Sequence, residues 1–377
     1  MALNRLLIRD LRNLSSVDLH LAPAINLFYG ENGSGKTSLL EAIHVLSVGR
    51  SFRSHKIKSL INEARPSLTV FGRILAQGAE VPIGVQRYRE GQVQSKAGGR
   101  ALQSVAELAS YLPLQVIDAE AFSLLSGSPS VRRQFLDWLV FHVEPSFYPA
   151  WRNAQRCLKH RNTLLRRGRI EPAELQPWDQ ELIQASVTID SLRKQCFQVF
   201  TGALEKLLEQ FGIAEGLSIK LFNGWGKEDY SQTLKASFER DCHAGFTHAS
   251  INRADVRVRL NGVNAAEILS RGQQKLLVCA FKIAQGVAFE QLTQRRCVYL
   301  VDDLPAELDK THSALLVSWL RRLDTQVFIT GIEREVLLEA WRDKPLASIK
   351  VFHVERGKII QDDEVSVPDS LPVRPTE

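Results

Sequence analysis

The stretch INLFYGENGSGKTSLL, from Ile25 to Leu40, decides the architecture. Its first five residues, Ile25 to Tyr29, are mostly apolar and read as a short strand. Behind the glycines, Thr37 to Leu46 places Leu39, Leu40, Ile43 and Leu46 on one helical face. Between strand and helix, Gly30-Glu31-Asn32-Gly33-Ser34-Gly35-Lys36-Thr37 fits the pattern G-x-x-x-x-G-K-[ST]. Glycines there let successive N–H groups face phosphate oxygens, where side chains would obstruct the approach. Lys36 brings a compact positive charge to terminal phosphates, and the Thr37 hydroxyl is placed to ligate Mg2+. The helix that starts there adds its positive end. The expected nucleotide contacts are therefore Gly30, Glu31, Asn32, Gly33, Ser34, Gly35, Lys36, Thr37 and Ser38.

Working outward, two further stretches are read against this loop. Val298-Tyr299-Leu300-Val301-Asp302-Asp303 is an apolar strand that delivers two acids at its end. Such a strand can hold Mg2+ through Asp302 beside the Thr37 hydroxyl, and Asp303 can then orient or deprotonate an attacking water; the plainer reading is a buried strand that ends at a solvated turn. Leu269-Ser270-Arg271-Gly272-Gln273-Gln274-Lys275 opens a long apolar-faced helix just before that strand. Serine and glycine at a helix start present a hydroxyl and unpaired N–H groups, a second anion site; the plainer reading is an ordinary serine cap.

The rest of the 377-residue chain is read around these elements. Leu3 to Ile8 and Val17 to Leu21 read as strands, and Leu68 to Leu75 with Val81 to Tyr88 as a hairpin. The pattern becomes helical from Val131 to about Phe211, with breaks expected at Pro145, Pro149, Gly168, Pro172 and Pro177 and a second long helix from Trp178. Strands and helices return at Val256 to Leu260, Gln273 to Glu290, Leu315 to Leu323 and Val327 to Thr330. The expected division is a head from 1–117 and 246–361, an inserted mainly helical lobe over 118–245, and a flexible tail over 362–377. No sustained heptads for a long coiled coil are present. Lys plus Arg at 48 against Asp plus Glu at 42 gives a net charge of +6, which favours polyanionic partners. Five scattered cysteines without a C-x-x-C pair argue against a disulfide framework or zinc site, and no signal segment is read at the start. A reducing cytoplasm is the expected location.

The order of P-loop, insertion, L-S-x-G-Q and acidic strand resembles the ATP-binding-cassette head of transporters and chromosome-maintenance ATPases. Six blocks taken together are more specific: LIRDLRN, GENGSGKTSLLEAI, GRSFR, RRQFLD, LSRGQQK and DDLPAELD. They resemble the RecF family of bacterial recombination-mediator ATPases, over nearly the whole chain and in order. The resemblance implies an α/β P-loop head of cassette type with a mixed sheet and an inserted mainly helical lobe. It implies ATP and Mg2+ as cofactors, weak DNA-stimulated hydrolysis, and an ATP-dependent homodimer in which Ser270, Gly272 and Gln273 of one copy face the P-loop of the other. It also implies single-stranded or gapped DNA and other recombination mediators as partners, with no membrane partner. Lys36 and Asp303 would carry catalysis, Thr37 and Asp302 the metal.

Departures from the wider cassette pattern are Asp303 where transporters usually carry Glu, Arg271 in place of the first paired glycine, Ala306 where Ser is frequent, and Thr330 where transporters carry a switch histidine. The ATPase subunit of a membrane transporter is the rival reading, and it predicts that histidine; a cytosolic kinase would leave Ser270 and Gly272 without a task. Basic residues offered to DNA are Arg50 and Arg53 behind the P-loop helix, and Arg152, Arg156 and Lys159 on one helical face within the acid-free run 152–169, which also holds Arg161, Arg166, Arg167 and Arg169. Arg132 and Arg133 are left open between a structural and a DNA role.

Overall fold

The computed structural model describes residues 1–54, 56–76, 78–168, 170–209, 215–303, 310–341 and 348–362. Strands β1 (Ala2–Leu11), β2 (Leu14–His20) and β3 (Ile25–Tyr29) lead into helix α1 (Lys36–Val48). There follow β4 (Ser67–Ala76), β5 (Ala79–Tyr88), β6 (Val93–Ala97), β7 (Arg100–Ala101) and β8 (Leu114–Ile117). Strands β9 (Leu217–Phe222), β10 (Asp255–Leu260) and β11 (Val263–Asn264) come after the long helices, and β12 (Val298–Val301), β13 (Val327–Gly331), β14 (Ile349–Glu355) and β15 (Lys358–Asp362) close the described chain.

Two compact units emerge: Met1–Ala121 with the described residues from Arg295 onward, and Phe122–Gln294. The first unit holds two sheets. One is antiparallel in the order β2-β1-β4-β5-β6-β7. The other, β15-β14-β3-β13-β12-β8, is parallel except for β15. Its central strands are buried on both faces, which explains the apolar run Val298 to Val301 and the mostly apolar Ile25 to Phe28, whose one polar residue, Asn26, is buried and hydrogen-bonded to the Ala22 backbone. Helix α1 packs on β1, β4 and β5 of the first sheet and on β13 of the second. Leu39, Leu40, Ile43 and Leu46 of α1 join Leu3, Leu6, Val70, Phe28, Phe328 and Phe352 in one core. Gly72 permits the close approach: a Cβ there would lie 2.5 Å from Leu46 Cδ2 and 2.7 Å from Leu3 Cδ1.

The second unit is mainly helical, with Pro129–Val143, Phe147–Leu165, Pro172–Leu208 and Arg271–Thr293 as its long elements and the small antiparallel sheet β11-β10-β9 beside them. Residues 246–294, expected with the head, belong here. The physical reason is pairing across long sequence distance: β10 bonds to β9, and helix Arg271–Thr293 packs on Pro172–Leu208 and Pro129–Val143. Arg271–Thr293 is long and apolar enough to pass a test for a membrane span, yet two-thirds of its apolar window is buried inside the protein, with Phe281 among Phe135 and Phe200.

Two proline expectations fail. Pro149 lies in the first turn of Phe147–Leu165, where its missing N–H has no intrahelical partner to lose. Pro177 lies within Pro172–Leu208 and does not end it; one lost hydrogen bond is outweighed by Leu182, Ile189, Phe200, Leu204 and Leu207, all buried further along. A capping box between Glu171 and Glu174 starts that helix with Pro172 at its first position, ahead of the expected Trp178. Asp362, assigned to the tail, sits in β15 and accepts from Arg334 Nε at 2.6 Å. The remainder of the expected tail, Arg169 and Ala306 lie outside the described residues.

Candidate functional site

In the first unit the loop Gly30–Gly35 leaves β3 at the centre of the parallel sheet, where strand ends from β12, β13 and β14 point the same way. Gly30 has φ +149°, and a Cβ there would meet the Val354 carbonyl oxygen at 2.2 Å, so only glycine fits. Gly35, at φ +121°, is the N-cap of α1 and gives it no side-chain cap. The first amides of α1 thus receive no side-chain cap from the N-cap residue, which suits an anion. The Ser34 hydroxyl is buried with no hydrogen-bond partner, a polar atom turned into the same loop.

Lys36 is 7% exposed, and its Nζ donates to the Gly30 and Glu31 carbonyls at 2.7 and 2.9 Å. Burial lowers its pKa, and the nearby charges of Asp303 and Asp302 oppose that shift. A desolvated ammonium hydrogen-bonded to two neutral carbonyls gains from a phosphate. Across the sheet, Asp302 Oδ1 accepts from Thr37 Oγ1 at 3.0 Å and from Thr330 Oγ1 at 2.8 Å. Burial pushes the Asp302 carboxyl above its ordinary pKa; the two hydroxyls and the charge of Arg53 pull it down, and Asp303 pushes it up again. A divalent cation beside Thr37 would offset that burial. Asp303 has φ +50°, a left-handed conformation rare outside glycine, and its Oδ1 is buried without a hydrogen-bond partner. The donor set therefore fits a nucleotide triphosphate with Mg2+: a glycine cradle, a buried ammonium, a hydroxyl–carboxylate pair and a spare carboxylate oxygen.

Several residues at this site have no task assigned from the sequence. Thr330, at the end of β13, donates to Asp302 and accepts the Asp303 N–H at 2.8 Å, so one hydroxyl fixes both acids. Glu41 of α1 is fully buried and takes Arg12 Nη2 at 2.7 Å and Ser51 Oγ at 2.5 Å, which ties the β1–β2 turn and the GRSFR segment to the P-loop helix. A buried acid on an otherwise apolar helix face was the available clue. Arg50 and Arg53 are exposed, and the positive charge of Arg53 lowers the Asp302 pKa.

In the second unit Ser270 is the N-cap of Arg271–Thr293: its Oγ accepts the Gln273 N–H at 3.3 Å, while Gln273 Oε1 accepts the Ser270 N–H at 2.9 Å. Both residues are exposed, and Gly272 is half-buried between them. Arg152 and Lys159 are exposed, Arg152 lying 5.9 Å from the Tyr148 ring centre. Arg156, also exposed, pairs with Glu181 at 2.6 Å. Arg161, by contrast, is fully buried between Asp179 and Asp241 and offers nothing to a phosphate. Arg132 binds Asp255 at 2.7 Å and Arg133 the Ala254 carbonyl at 2.9 Å, which gives both a structural task in joining Pro129–Val143 to β10.

The model of the family described as RecF/RecN/SMC N terminal domain matches residues 2–359. The DNA replication and repair protein RecF of Cellvibrio japonicus (strain Ueda107) is 59% identical over 361 residues, which cover 95% of this chain and 99% of that protein. Its counterpart in Pseudomonas syringae pv. tomato is 48% identical over 364 residues, covering 96% and 98%. A solved structure described as the recombination mediator protein RecF-ATP in the RecFOR pathway shares the fold, with a TM-score of 0.83 at 24% identity over 96% of this chain and 97% of that one.

Proposed function

We propose that this chain, which belongs to the RecF/RecN/SMC N-terminal domain family, is an ATP-switched DNA-binding protein of recombinational repair. The single observation that carries the ATP reading is the uncapped start of α1 beside the buried ammonium of Lys36 and the Thr37–Asp302 pair. In this reading the amides of Gly33 to Thr37 and Lys36 Nζ bind the phosphates, and Thr37 with Asp302 holds Mg2+. Bound ATP supplies the free energy of a cleavable phosphoanhydride. Thr330 orients both acids, and Asp303 Oδ1 receives the proton of the attacking water. With one methylene fewer than Glu, Asp303 reaches less far, in keeping with slow turnover.

Ser270, Gly272 and Gln273 would complete the site of a second copy, so that ATP drives dimerisation and hydrolysis ends it. The relatives' names, DNA replication and repair protein and recombination mediator, support DNA and other recombination mediators as partners. Arg50, Arg53, Arg152 and Lys159 are the exposed basic residues offered to single-stranded or gapped DNA; Arg156 would first leave Glu181. A reducing cytoplasm suits the five free cysteines.

Sedimentation velocity with Mg-ATP, with and without DNA, tests this. A dimer that requires ATP and is lost in Ser270→Arg is the expected result, as is DNA affinity that falls steeply with salt. A monomer under every condition would sink the proposal.

A further inference from the structure

The conformation of the P-loop is held from behind by two turns that lie far apart in sequence. The Ser34 carbonyl accepts two hydrogen bonds, from Asn13 Nδ2 at 3.0 Å and from the Gly357 backbone N–H at 2.8 Å. Asn13 follows β1, in the turn before β2; Gly357 lies between β14 and β15. A peptide unit is planar and trans, so its N–H points opposite to its C=O. Fixing the Ser34 carbonyl toward Asn13 and Gly357 therefore turns the Gly35 N–H to the opposite side.

Asn13 is itself fixed. Its Oδ1 accepts from Ser38 Oγ at 3.1 Å, and its neighbour Arg12 is anchored on buried Glu41. Gly357 has φ +79°, and a Cβ there would lie 2.2 Å from the Asn13 carbonyl oxygen, so the two turns are packed backbone to backbone. The same hairpin presses on the other end of the loop, where the Val354 carbonyl leaves Gly30 no room for a Cβ.

We propose that Asn13 and the Arg356–Gly357 turn are positioning residues of the nucleotide site: a two-sided brace on the Ser34 carbonyl that presets the Gly35 amide for a phosphate oxygen. The inference rests on the reading of Gly30–Thr37 as a nucleotide cradle. It makes the β14–β15 hairpin, near the end of the described chain, part of the phosphate-binding apparatus. The brace matters because a loop already in its binding conformation does not lose conformational freedom when the phosphate arrives.

Two substitutions test it. Asn13→Asp keeps the shape and the acceptor for Ser38 but replaces the donor to Ser34 with an oxygen. Gly357→Ala forces the two turns apart. Mg-ATP affinity is measured by calorimetric titration of the full chain, and hydrogen–deuterium exchange over residues 30–37 is measured without nucleotide. For Asn13→Asp, the expected results are a dissociation constant raised about three- to tenfold, as for a lost hydrogen bond, and faster exchange confined to that loop. Gly357→Ala should do more in the same direction; if it does not fold, Asn13→Asp decides alone. Folded variants that bind Mg-ATP and exchange like the parent overturn the brace while leaving the cradle intact. A parent chain that binds no Mg-ATP overturns the cradle and the brace with it.

Discussion

Two helix starts in this molecule carry the sequence pattern of an anion corner, and they are built in opposite ways. At Gly35 the helix α1 begins without a side-chain cap, over a loop with a buried ammonium and an orphaned serine hydroxyl. At Ser270 the helix Arg271–Thr293 begins with a closed capping box on an exposed surface. The first leaves its donors for a ligand; the second spends its serine on its own backbone. An uncapped, walled helix start is prepared for binding, whereas a capped one must open before it meets an anion.

The largest expected effect is on the prepared corner. Lys36→Met should weaken Mg-ATP binding by more than about a hundredfold, because a buried cation is removed from beneath the phosphates. Equilibrium dialysis checks it, and near-parental affinity would show that the ammonium is not the phosphate ligand. Next, Asp303→Asn should retain Mg-ATP binding and lower turnover about a hundredfold, the range for loss of a positioned base. Unchanged phosphate release in that variant would remove Asp303 from the catalytic role. Thr330→Val should cost about 2 kcal/mol of stability in urea unfolding, since Asp302 loses a donor and the Asp303 N–H its acceptor. It should also weaken Mg2+ dependence of ATP binding. The smallest effect belongs to the capped corner: Ser270→Ala should cost about 1 kcal/mol and leave ATP affinity of the monomer unaltered. A large loss of monomer affinity there would erase the contrast between the two helix starts.

The Lys36 ammonium gives the comparison a pH signature. Its pKa is lowered in the folded chain, so between that value and the unfolded 10.5 the unfolded state binds more protons. This group's contribution to stability therefore rises with pH through that window. Asp302 behaves in the opposite sense: its raised pKa makes its contribution fall as pH climbs above 3.8, toward the folded value.

Legibility in the sequence followed the range of the interaction. The strand, loop and helix from Ile25 to Val48 are contiguous, and periodicity plus glycine spacing revealed them. The strand Val298–Val301 and its acids were legible for the same reason. Asn13, Thr330 and Gly357 were not, because an asparagine, a threonine and a glycine in turns or strand ends look ordinary until distant strands bring them to Ser34 and Asp302. Arg161 is the opposite case: it stands in a basic run, and only the fold buries it on Asp179 and Asp241.

By itself, then, the sequence determined that a glycine loop of the G-x-x-x-x-G-K-[ST] pattern sits between a buried strand and an apolar-faced helix, since backbone conformation and side-chain period are local properties. Tertiary structure alone decided which groups hydrogen-bond to the Ser34 carbonyl, which basic residues reach solvent, and to which compact unit residues 246–294 belong. These depend on pairing between segments tens to hundreds of residues apart, from Arg161 with Asp241 to Gly357 with Ser34, and the energies of such contacts are set by burial that no single segment carries.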